Sequence, residues 1–141
     1  MSKRFSQRSE TILVVADDPV VLNTMLQILT AQGYRVLQAR TPKTALQLGA
    51  QHDYHIDLLL ADVILPGLYG WQLAEFMKLD YPQLQVLYIS GACDDDISEP
   101  TGTPELVLRK PFRSDELERA VRISLNGAST KVGSSYDRFH T

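Results

Sequence analysis

The chain has 141 residues, 44% of them apolar, and a formal net charge of −3, which suits one domain with its own core and excludes a disordered chain. One cysteine, Cys93, excludes an internal disulfide and any paired-cysteine metal or redox site. Both ends are basic (Lys3, Arg4 and Arg8 against Glu10; Lys131 and Arg138 against Asp137), so the acidic excess lies in residues 11–126 and argues against a nucleic-acid surface.

Thr11 to Ala16 (TILVVA) is a short β-branched apolar run, the pattern of a strand buried on both faces of a parallel sheet. Pro19 can open a helix in which Leu22, Met25, Leu26 and Leu29 keep helical spacing until Gly33. Tyr34 to Ala39 is a second strand, and Thr41-Pro42 caps and opens a helix running to about Gln51. Asp57 to Asp62 (DLLLAD) is a third strand, followed by a loop, VILPGLYG, and a helix from about Trp71 to Leu79 that Tyr81-Pro82 ends. Leu84 to Ser90 is a fourth strand. The Gly-, Pro- and Asp-rich segment after it leaves space for a turn or two of helix only. Glu105 to Arg109 is a fifth strand, and Ser114 caps a last helix from Asp115 to about Leu125, closed by Asn126-Gly127. Strands alternating with helices imply βαβ units, a mostly parallel sheet and helices on both faces. Residues 1–10 and 127–141 read as flexible tails around one domain, 11–126. No apolar run reaches about 18 residues and the N-terminus lacks the apolar stretch of a signal peptide, so the expectation is a cytoplasmic protein with no membrane contact.

In an open parallel sheet, ligands bind beyond the carboxyl ends of the strands. Asp17 and Asp18 follow the first strand, Asp62 ends the third, Ser90 the fourth and Lys110 the fifth. Three carboxylates brought together repel unless a cation joins them, and hard oxygen donors suit Mg²⁺. The lysine and the hydroxyl then supply donors for an anion, most naturally a phosphoryl group. There is no GxGxxG and no Walker sequence, so nothing supports a nucleotide site.

The stretches ILVVADDP, LLLADVILPGLYG, LQVLYISG and LRKPF, in this order, resemble the response-regulator receiver domain over nearly all of residues 11–126. The wording around Asp62 and Ser90 is most similar to receivers attached to, or working with, hybrid sensor kinases. The resemblance implies a flavodoxin-like (βα)5 doubly wound α/β fold of strand order 2-1-3-4-5, here with a shortened fourth helix. It also implies a signalling domain that catalyses only its own phosphorylation and dephosphorylation. Asp62 matches the acceptor of a phosphoryl group from a sensor histidine kinase or histidine phosphotransfer protein. Asp17 matches the direct Mg²⁺ ligand, the backbone carbonyl of Ile64 the loop ligand, Ser90 the switch hydroxyl and Lys110 the phosphate-contacting lysine. Lys110-Pro111 matches the family's cis peptide, which would aim that lysine.

Three positions depart from the pattern. Ala16 stands where the family has its first acid, Asp18 where it commonly has a glutamate, and Val107 where many relatives have a switching Tyr or Phe. For Asp18, metal contact and a helix N-cap beside Pro19 are equal readings. His52 and His55 form HxxH without carboxylate or cysteine company, Asp94 to Asp96 suit a solvated acidic turn, and Cys93 an unreactive loop residue. Tyr69 and Trp71 border the site, with packing of the third helix as their default role. Two other functions stand beside the receiver reading: an adaptor that binds a partner without phosphorylation, and a phosphatase. The second needs an acid two residues after the nucleophile, where this chain has Ile64. Without the Val107 aromatic or a full fourth helix, the expectation is a monomer before and after phosphorylation.

Overall fold

A computed structural model describes residues 10–51, 55–91 and 106–127. The principal sheet comprises β1 (Thr11–Val15), β2 (Arg35–Ala39), β3 (Leu58–Asp62), β6 (Gln85–Ser90) and β7 (Leu106–Arg109). Its order is β2-β1-β3-β6-β7 and every pairing is parallel, which is the expected 2-1-3-4-5 arrangement. The helices are α1 (Pro19–Ala31), α2 (Pro42–Gln51), α3 (Gly70–Asp80) and α4 (Ser114–Leu125). Among the described residues, no helix is long and apolar enough to cross a membrane.

The two faces of the sheet explain why its inner strands are apolar without alternation. Successive side chains point to opposite faces, so Ile12 and Val14 join Leu58, Leu60, Leu87 and Ile89 under α1 and α4. Leu13 and Val15 join Leu59, Ala61 and Val86 under α2 and α3. Each fully buried leucine contributes about 1.5–3 kcal/mol relative to exposure. On the second face the Tyr81 hydroxyl donates to the Gly49 carbonyl at 2.7 Å, tying the end of α3 to α2. Burial, then the charge of Asp80, raises the Tyr81 phenol above its usual pKa.

Caps follow the sequence at α2, where Thr41 Oγ1 accepts from Thr44 N–H at 3.1 Å. At α4 the outcome differs from expectation. Ser114 is the first helical residue, and the cap position is Arg113, whose N–H donates to Glu116 Oε1 at 2.8 Å. Glu116, the third helical residue, reaches back to the main-chain N–H of the cap residue itself, the reciprocal bond of a capping box, and this fixes the cap one residue before Ser114. The segment VILPGLYG also differs: it forms an antiparallel hairpin, β4 (Ile64–Leu65) with β5 (Leu68–Tyr69). Pro66 and Gly67, the latter at φ 89°, have the residue pattern of a type II turn, and two-residue strands are too short to show a period. Sheet bonding begins one residue before the expected domain edge, since Arg35 N–H donates to the Glu10 carbonyl at 3.1 Å. The expected short fourth helix, His52, Cys93 and Asp94 to Asp96 lie outside the described residues, as do residues 1–9 and 128–141.

Candidate functional site

Parallel strands carry their carboxyl ends to one edge, and the sequence places a polar residue at or just after four of them. Asp62 is the last residue of β3 and Ser90 the last of β6, while Asp17 follows β1 and Lys110 follows β7. Lys110 N–H donates to the Ser90 carbonyl at 2.8 Å, extending the β6–β7 ladder to the lysine.

Asp62 is the centre. It is only 6% exposed, and a carboxylate so buried needs compensation by charge or hydrogen bonds. Lys110 Nζ lies 3.7 Å from its Oδ1, and Asp17 N–H donates to its Oδ2 at 3.4 Å. The lysine side chain keeps 30% of its surface exposed, so the cation sits at the mouth with the carboxylate below it. Asp17, through its main chain, and Lys110, through its side chain, thus both meet Asp62, from 45 and 48 positions away in the sequence.

The other expected residues are placed as follows. Ser90 is 4% exposed and its hydroxyl donates to the Gly91 carbonyl at 3.2 Å, so it borders the site with its hydroxyl held by the main chain. Asp18 is the N-cap of α1: its Oδ1 accepts from Val20 N–H at 2.9 Å. Ile64 sits in β4, paired with Tyr69, and the residue is 45% exposed. Val63 N–H donates to the Ile89 carbonyl at 2.9 Å and Gly70 N–H to the Val63 carbonyl at 2.7 Å, stitching this loop at both ends. Val107 pairs with Tyr88 and is half-buried against the α2–α3 side of the core. The Lys110–Pro111 peptide is cis. Tyr69 and Trp71 stack beside the hairpin with centroids 6.4 Å apart at 14°.

One neighbour was missed by sequence reasoning. Arg40, just beyond β2, donates from Nη2 to the Asp17 carbonyl at 3.4 Å. Its place just beyond a strand end was the available signal, since the other four also lie at or just after the ends of strands.

Among the described residues, no three His, Cys, Asp or Glu side chains gather into a metal-binding group. The residues at the site include two carboxylate side chains, the buried Asp62 and the exposed Asp17 that meets it through the main-chain N–H, and a main-chain loop at Ile64, while Ala16 is fully buried in the core where a third acid would stand. Two carboxylates plus carbonyl and water oxygens is a donor set that fits Mg²⁺, which commonly keeps several waters and binds one or two carboxylates.

A family model described as the response regulator receiver domain matches residues 12–122. The putative two-component response regulator ARR21 of Arabidopsis thaliana is 32% identical over 124 residues, covering 84% of this chain and 20% of that protein. The sensor kinase CckA of Brucella abortus (strain 2308) is 26% identical over 116 residues, covering 81% of this chain and 12% of that protein. This chain therefore spans a fifth or less of the length of those two relatives. The solved signal receiver domain of an HD domain-containing protein from Pseudomonas fluorescens Pf-5 superposes with a TM-score of 0.74 at 29% identity, covering 84% of this chain and 96% of that one. Matched by the family model over residues 12–122 and built on the same fold as the solved receiver domains, the chain belongs to the response regulator receiver domain family.

Proposed function

We propose that the chain accepts a phosphoryl group on Asp62 from the phosphohistidine of a sensor histidine kinase or histidine phosphotransfer protein. The observation that carries this reading is the buried Asp62 carboxylate with Lys110 Nζ on one oxygen and Asp17 N–H on the other. An Asp62 oxygen attacks phosphorus, an O–P bond forms, and the P–N bond breaks with its electron pair leaving on the donor imidazole. Lys110 offsets the charge on the transferred group's oxygens, and the Ser90 hydroxyl turns from Gly91 to one of them after transfer. The Asp17 and Asp62 carboxylates and the Ile64 carbonyl would hold Mg²⁺, which when bound supplies further charge neutralisation. Asp18 stays the helix cap in this scheme.

Incubation with a small acyl-phosphate donor and Mg²⁺, followed by peptide mapping, should place one acyl phosphate on Asp62 and none when Mg²⁺ is chelated. Label on another residue, or none at all, would overturn the proposal. The adaptor reading draws on the buried Ala16 and the missing aromatic at Val107, and an unlabelled wild-type protein is the result it requires.

The scheme also predicts the consequence of restoring the first acid. Ala16→Asp should tighten Mg²⁺ binding by about 10–100-fold, the usual weight of an outer-shell partner. The same substitution should lower stability, because position 16 is fully buried against Leu22 and Met25. Equal Mg²⁺ midpoints for the two proteins by fluorescence titration would show that the acid's role is already filled.

A further inference from the structure

We propose that Gly70 is a positioning residue for the acceptor: its missing side chain lets α3 close onto the main-chain carbonyl of Asp62, which sets where the acceptor carboxylate points. The proposal rests on the acceptor role given to Asp62 above. A Cβ at Gly70 would overlap the Asp62 carbonyl oxygen. The same carbon would stand 3.3 Å from the Asp62 carbonyl carbon and 3.4 Å from Tyr88 Cδ1, where ordinary contact only begins.

What matters is which atoms would have to yield. The Asp62 carbonyl belongs to β3, the middle strand, paired on one side with β1 and on the other with β6. The Tyr88 ring is buried in the core. Neither is the loose end of a flexible side chain. Relief therefore has two routes, and both reach the site. Turning the Asp62 peptide swings the Cα–Cβ bond that carries the carboxylate relative to Lys110 and Asp17. Withdrawing α3 breaks the 2.7 Å bond from Gly70 N–H to the Val63 carbonyl and frees the hairpin that bears Ile64.

Helical glycines in this chain are not all alike. At Gly49, within α2, a Cβ would meet Met77 Cε at 3.5 Å and Tyr81 Cε2 at 3.6 Å, ordinary contact with movable side-chain atoms. Gly49→Ala is thus a matched control, a helical Gly-to-Ala change far from Asp62. Leu117→Ala, on the buried side of α4, is a control for lost stability alone.

The test compares wild type, Gly70→Ala, Gly49→Ala and Leu117→Ala by thermal unfolding, Mg²⁺ midpoint from Trp71 fluorescence, and acyl-phosphate formation rate at saturating Mg²⁺. Misplacement of reacting groups by about 1 Å can cost 100-fold, so Gly70→Ala should lose about 10–100-fold in rate while both controls stay within about threefold of wild type. It should also bind Mg²⁺ more weakly, whereas Leu117→Ala loses melting temperature with an unmoved midpoint. Wild-type rate and midpoint in a folded Gly70→Ala overturn the proposal. If that variant does not fold, amide exchange on the wild-type chain decides. Adding Mg²⁺ and beryllofluoride, a phosphoryl mimic, should slow exchange at Gly70 N–H together with Val63 N–H. Unchanged exchange at Gly70 overturns the proposal. A wild-type chain that takes no phosphoryl group overturns the acceptor reading and this one with it, whereas an active wild type with an indifferent Gly70→Ala overturns this one alone.

Discussion

Asp62→Asn should abolish acyl-phosphate formation, and Lys110→Ala should slow it by about 100–1000-fold, the usual cost of removing one donor aimed at developing charge. Asparagine keeps the shape of the side chain, and its amide oxygen can still accept from Asp17 N–H, now at 3.4 Å from Asp62 Oδ2. It loses the negative charge and the nucleophilic oxygen, so chemistry stops while packing stays. The lysine in Asp62→Asn has 30% of its side chain exposed and can turn to water, so the fold should change by no more than about 1 kcal/mol. The two substitutions separate two roles: one removes the acceptor, the other the charge beside it. Phosphate mapping and rates under one donor and one Mg²⁺ concentration are sufficient. Label retained on the Asn variant refutes the acceptor assignment, and a Lys110→Ala rate within threefold of wild type refutes the role of the lysine.

Leu60→Ala should cost about 2–5 kcal/mol, the range for removing a fully buried leucine and leaving a cavity. Leu60 is wholly buried in β3, between Val14 of β1 and Leu87 of β6 in the sheet register, and its face is covered by α1 and α4. A central strand held on both edges cannot collapse into the vacancy without shifting its neighbours, so relaxation should be small. Set against a typical total of about 5–15 kcal/mol, the loss removes a large share of the margin that keeps the chain folded. Urea unfolding should show a lower midpoint with an unchanged slope. A loss under about 1 kcal/mol would mean that the site repacks freely.

Much of the candidate site was legible because each of its members is marked locally. Asp62 closes an apolar run, Ser90 closes another, and Lys110 precedes a proline just after a third. Such marks need only the strand ends, and strand ends in a buried parallel sheet are announced by apolar runs stopping at polar residues. The marks did not separate ligand from cap at Asp18. That choice depends on whether Val20 N–H or a metal faces Oδ1, and the chain gives it to Val20 at 2.9 Å. Nor did they show the Ser90 hydroxyl turned to the Gly91 carbonyl, since a rotamer is chosen by its neighbours.

By itself, then, the sequence determined the kind and order of the five principal strands and the four described helices, the two-faced core and the identity of the polar residues at the strand ends. These follow from spacing within segments of five to thirteen residues, where backbone period and burial act together. Tertiary structure alone decided the β4–β5 hairpin, the replacement of Ser114 by Arg113 at the α4 cap, the reach of Arg40 to Asp17, and the closure of α3 at Gly70 onto the Asp62 carbonyl. Each depends on how short polar or glycine-containing pieces are held by distant strands and helices. Those pieces have too few apolar residues to show a period, so their geometry appears only once the sheet has closed around them.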